Sequence, residues 1–185
     1  MSRRRALPRP SSVAAIVLAG VSLAGAGAGI TAAAESGGIG PAGAKDPATG
    51  DGQFPIRGKH TYGDGLGAGR NHQGQDLMAK CGKPVVAAQP GRVQFRDYQA
   101  SGAGNYVVID GKGKLQDTVY MHLSKPTKLR EGNRVDAGDL VGRVGSTGRS
   151  SACHLHFEMW SGAGWYEGGR PIDPKPFLKR WDKRG

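Results

Sequence analysis

The chain has 185 residues, enough for one domain with a core of its own, and carries 26 Lys and Arg against 15 Asp and Glu, a formal net charge of +11. So strong a basic excess raises nucleic acid as a partner, but aromatics are only 6% of the chain and no recognition motif is present, which argues against it. An anionic polymer surface is the better match for the charge.

The first segment reads as a secretory signal peptide, Met1–Ala34. Arg3, Arg4, Arg5 and Arg9 form a positive start, Val13 to Ile30 is an uncharged run rich in Ala and Gly, and Ala32 and Ala34 offer an A-x-A cleavage site. The run is short and glycine-broken for a membrane anchor, so no span is expected after cleavage. Because that segment holds four Arg and no acids, the remaining chain keeps a net charge of +7. Residues 35–52 are mostly Gly, Ala and Pro, the composition of a flexible linker.

From residue 53 to 185 the pattern changes to short β-branched and aliphatic runs punctuated by glycine. Strands are predicted near Pro84–Ala88, Arg92–Tyr98, Asn105–Asp110, Asp117–His122, Leu140–Val144 and His154–Trp160. No window sustains a 3.6-residue apolar period, although Pro174 to Trp181 has room for one helical turn. The expectation is a single, mostly β, antiparallel domain with glycine-rich loops at 101–104 and 145–150. Cys81 and Cys153, the two cysteines of an exported chain, are most simply one disulfide. The rival role for Cys153, a metal ligand beside His154, conflicts with strand alternation, which points the two side chains to opposite faces.

The five histidines carry the chemistry. In "HLHFE" the alternation sets His154 and His156 on one strand face, about 6.6 Å apart, with Glu158 on the same face as either a partner to an imidazole or a solvated residue. Two such imidazoles either chelate one metal together or divide the work, one ligating and one standing beside the open position. In "HQGQD", His72 and Asp76 are four apart; a fully extended chain would hold them about 13 Å from each other, so a shared ion requires a bend, which Gly74 permits. "YMHLS" adds His122 at the end of an apolar strand. Each motif alone also has an ordinary structural explanation; three His-bearing segments together are hard to attribute to core packing.

Taken in order, "HQGQD", "YMHLS", "GSTGRS" and "HLHFE" resemble the LytM/lysostaphin-type zinc metallopeptidases that cut peptidoglycan peptides, a similarity covering about residues 60 to 177. The resemblance implies a groove-bearing β domain with one Zn²⁺ per chain, His72, Asp76 and His156 as its ligands, and His122 and His154 as catalytic histidines. Three protein ligands leave a fourth tetrahedral position open, as catalytic zinc requires. It further implies peptidoglycan peptides as substrate and a secreted or cell-wall location, and the expected form is a monomer. The competing expectation is a non-catalytic wall binder or hydrolase activator of the same fold. The family often has a tyrosine a few residues before its first zinc histidine; here Tyr62 lies ten residues upstream of His72, and an oxyanion role for it is one expectation to test. His60 has no place in the set, and the linker, short and without Asn, His or Cys, is not expected to hold the site latent.

Overall fold

Residues 52–69, 71–111, 116–161, 164–165 and 167–184 are described by this computed structural model, all within one unit spanning Pro41–Gly185. The expected signal peptide and, apart from Gly52, the linker lie outside the described residues. The β-branched runs form strands because their side chains fit a pleated, half-buried surface. In chain order these are β1 (His60–Tyr62), β2 (Gln75–Ala79), β3 (Pro84–Val86), β4 (Gly91–Gln99) and β5 (Gly104–Asp110). They continue with β6 (Asp117–Leu123), β7 (Arg134–Val135), β8 (Leu140–Arg143), β9 (His154–Ser161) and β10 (Arg170–Ile172). Eight strands make one antiparallel sheet in the order β1-β2-β9-β6-β5-β4-β7, with β10 also on β9; β3 and β8 pair as a separate ribbon. The expected mostly β, antiparallel fold is what is found.

The two faces of the large sheet differ. On one, Leu77, Leu155, Phe157, Tyr120, Val107, Ile109 and Val93 meet across neighbouring strands in the main core. Each such side chain contributes about 1.5–3 kcal/mol on full burial. Val85 and Val141 of the ribbon close over that core. So does helix α1 (Lys175–Asp182), which is eight residues long rather than the single turn expected and buries Leu178 and Trp181. Pro174 caps its start and Pro176 lies in its first turn, where a missing N–H costs nothing. Among the described residues no helix is long and apolar enough to cross a membrane.

The opposite face carries Asp76, His156, Glu158 and Met121 by register, then a small apolar cluster of Val108, Val119, Trp160 and Trp165. Cys81 follows β2 and Cys153 precedes β9, and the two are disulfide-bonded with Cα atoms 5.2 Å apart, as expected from the sequence. The bond closes the end of the ladder in which Met78 faces His154.

Candidate active site

Strand register brings the first two candidate ligands together: Asp76 of β2 is directly opposite His156 of β9. Asp76 Oδ1 is 2.9 Å from His156 Nδ1 and 3.0 Å from His72 Nε2. His72 reaches back because the strand begins only at Gln75, so the stretch from His72 to Gly74 is free to turn. Gly74 is needed for a further reason. A Cβ there would sit 2.4 Å from the Phe157 carbonyl oxygen, so only glycine lets β9 approach so closely.

His122 arrives by a different route. Alternation along β6 would send it to the core face beside Tyr120. Its φ of 62° is in the left-handed region, which histidine enters more readily than most residues, and the pairing shifts register between Asn105 and Val107. The result leaves Tyr120 and Leu123 in the core and puts Met121 and His122 in a cleft. His154, one residue pair further along β9, completes the group: its ring lies 4.6 Å from that of His122, and its Nε2 is 3.7 Å from Asp76 Oδ1. All five residues expected from the sequence therefore line one cleft of about 690 Å³.

Outer partners fix each imidazole. His72 Nδ1 donates to the Gly65 carbonyl at 2.9 Å, His122 Nδ1 to that of Thr147 at 2.8 Å, and His154 Nδ1 to that of Ala152 at 2.9 Å. A carbonyl oxygen can only accept, so each of these rings keeps its Nε2 as the inward acceptor when neutral. His156 is turned the other way, with Nε2 donating to Glu158 Oε1 at 3.0 Å and Nδ1 facing Asp76. Glu158 is 2% exposed and its other oxygen accepts from Trp160 Nε1 at 2.7 Å, so it is a buried partner of the imidazole and not a solvated strand residue.

Electrostatics follow from this wiring. Burial alone would lower the pKa of His156, but its hydrogen bonds to Asp76 and Glu158 and the charges of both carboxylates outweigh that and raise it to about 9. Burial also opposes ionisation of Asp76, yet the surrounding histidines hold its pKa below the usual carboxylate value. For His122 burial dominates and lowers the pKa to about 4, so this ring is neutral at physiological pH.

His72, Asp76 and His156 form a donor set fit for a metal: one ligand atom from each, all within 4.8 Å of one another. Two imidazole nitrogens and a carboxylate oxygen suit zinc, and each histidine has its second nitrogen anchored, as metal-bound histidines generally do.

Other expectations resolve differently. Tyr62 pairs with Leu77 on β1 and packs against the main core, where its hydroxyl is buried without a hydrogen-bond partner. Burial, with the charge of Asp182 adding to it, raises its pKa to about 12; it does not line the cleft, so an oxyanion role is not supported. His60 stacks on Phe54 with centroids 4.0 Å apart and meets Asp182 at 3.3 Å, clasping α1. The glycine-rich loops do flank the cleft, but Gly104 and Gly148 serve contact between the loops themselves. Both have positive φ, and a Cβ on Gly148 would lie 2.2 Å from the Gly104 nitrogen. Sequence reasoning had no means of finding the Gly65, Thr147 and Ala152 carbonyls, because backbone groups carry no residue signature. Trp160, by contrast, was within reach by extending the alternation two residues past Glu158.

The sequence profile of Peptidase family M23 matches residues 70–174, more than half of the chain and every residue of the cleft cluster. The chain belongs to peptidase family M23. Among similar M23-type proteins is the glycyl-glycine endopeptidase ALE-1 of Staphylococcus capitis, 38% identical over 111 residues, which are 60% of this chain and 30% of ALE-1. The catalytic domain of lysostaphin from Staphylococcus simulans superposes with a TM-score of 0.58 at 33% identity, covering 65% of this chain and 92% of that domain. A zinc-containing peptidase from Vibrio cholerae gives 0.56 at 27% identity, covering 69% of this chain and 39% of its own. The chain thus aligns with under a third of the ALE-1 sequence.

Proposed function

We propose that this M23 protein is a secreted, zinc-dependent endopeptidase that hydrolyses peptide bonds in the stem peptides or cross-bridges of peptidoglycan. The observation that carries this reading is the convergence of His72, Asp76 and His156 on one point, with His122 and His154 standing beside it in the same cleft. Membership of a peptidase family supports it, and the +7 charge of the chain beyond Ala34 suits an anionic wall.

His72 Nε2, Asp76 Oδ1 and His156 Nδ1 would hold the metal, which supplies Lewis-acid chemistry to the scissile carbonyl and to water. Glu158 fixes the His156 ring through Nε2 and keeps its Nδ1 turned toward Asp76. His122 and His154, each pinned through Nδ1 to a carbonyl, offer Nε2 atoms that can take a proton from the attacking water and return it to the leaving nitrogen. The ring protonated at that moment also hydrogen-bonds the developing oxyanion.

The test is turbidity loss of purified cell walls. The zinc-loaded protein should clear them, while a chelated sample and a His154→Ala variant that retains zinc should not. Equal clearing by all three would remove the catalytic assignment.

A further inference from the structure

The cleft has three acids and one base of fixed charge among its described lining residues: Asp64, Asp76, Glu158 and Arg149. Asp76 and Glu158 are engaged with histidines. Arg149 is exposed, and its guanidinium makes no hydrogen bond or ion pair with a described residue. An exposed arginine on a convex surface is ordinarily just solvated. Arg149 is on the wall of a concave site, and its main chain is held on both sides. Its N–H donates to the Gly102 carbonyl at 2.8 Å, and Gly148 before it packs backbone to backbone against Gly104. Ser150 after it has its hydroxyl 3.2 Å from His154 Nδ1. The backbone that carries the guanidinium is therefore anchored one residue from a group that supports a proposed catalytic imidazole, and the side chain extends from it along the cleft wall. Five donors in a planar fork match a carboxylate better than any other group a peptide offers.

We infer that Arg149 is a specificity-determining residue that binds a free carboxylate of the substrate peptide close to the scissile bond. This rests on the reading of the chain as a peptidoglycan endopeptidase and narrows its substrate class. Stem-peptide cross-links, such as those through diaminopimelate, carry a free carboxylate beside the linking amide, whereas oligoglycine bridges are neutral. The wall thus favours the acidic cross-link, in contrast to the glycyl-glycine activity for which ALE-1 is named.

The experiment compares three substrates: a diaminopimelate cross-linked peptide dimer, the same dimer with its carboxylates amidated, and a pentaglycine-bridged dimer. The zinc-loaded wild type should show kcat/KM about tenfold higher on the free acid than on the amide, the size expected of a hydrogen-bonded charge pair open to solvent on one side. Arg149→Gln should lose that preference mainly through KM, with a loss about tenfold greater on the acid than on the amide. Arg149→Lys should keep part of the preference, and Arg149→Glu should fall below Arg149→Gln on the acid. A wild type indifferent to amidation, or faster on pentaglycine, overturns the inference whatever the variants do. Equal losses by Arg149→Gln on acid and amide overturn it too, since they indicate a structural role. If zinc-loaded wild type cleaves none of the three, the endopeptidase reading itself fails, and the substrate assignment with it.

Discussion

Replacing Glu158 with glutamine keeps the shape of a side chain that is 2% exposed and removes its charge. Two donors converge on the carboxylate, His156 Nε2–H and Trp160 Nε1–H, at 3.0 and 2.7 Å. An amide has one accepting oxygen, so one of the two must then face an NH₂ group. A buried donor left unsatisfied costs about 1–3 kcal/mol, which for a domain of this size corresponds to a fall in melting temperature of roughly 3–10 °C. Loss of a carboxylate behind a metal-binding histidine typically weakens metal affinity by about 10–100-fold, or about 1.4–2.7 kcal/mol. The deficit should also depend on pH. In wild type the His156 proton, with a pKa of about 9, competes with metal at neutral pH. Without the Glu158 charge that competition weakens, so the variant should lie closer to wild type at pH 7 than at pH 9. Competition with a chromophoric chelator at both pH values, together with melting curves of the zinc-free and zinc-loaded forms, measures each quantity. Wild-type zinc affinity at pH 9 in a folded Glu158→Gln protein would refute the role assigned to the carboxylate.

The raised pKa of His156 also predicts that wild-type zinc affinity climbs about tenfold per pH unit from pH 7 and levels off near pH 9, because binding must displace one proton; a flat profile between pH 7 and 8.5 by the same titration contradicts this. In the zinc-free protein the sign is reversed for stability: the protonated His156 contributes fully below its ordinary value of 6.5, and the contribution is lost as pH rises through about 9. Removing the Cys81–Cys153 bond, which spans a sequence separation of 72, should cost about 4 kcal/mol in the chain-entropy account and lower the melting temperature by roughly 10–15 °C. A calorimetric shift under about 3 °C in the double serine variant would show that the β2–β9 ladder is held without it.

Much of this was legible in residue order, and the exceptions have physical causes. β4, β5, β6 and β9 lie within a residue or so of their expected ends because β-branched, aliphatic and aromatic residues are dense in them, as alternation in β9 and as nearly continuous runs in β5 and β6. β2 escaped notice although it carries Asp76. Its first residue, Gln75, is buried yet polar, and its amide nitrogen is spent on the Gly63, Asp64 and Asp76 carbonyls, which blurs the apolar pattern. β1, β7 and β10 are two or three residues long, below what a period can reveal. The five cleft residues were found because their side-chain chemistry is distinctive. The turn of His122 into the cleft was not, since a left-handed backbone at a non-glycine position leaves no mark in composition. Tyr62 was judged by its distance along the chain from His72, whereas pairing with Leu77 decides which way it points.

β9 has β2 and β6 on its two sides, and β6 has β9 and β5, so the imidazoles of His122, His154 and His156 stand on interior strands of the sheet while the arginine-bearing loop lies on the cleft wall. Such a layout separates what must stay constant from what can drift. On the proposed reading, a side-chain exchange at position 149 changes what the cleft wall presents to a substrate, whereas an insertion at 146–151 would displace the Thr147 carbonyl that fixes His122, so selectivity drifts by substitution and not by loop growth.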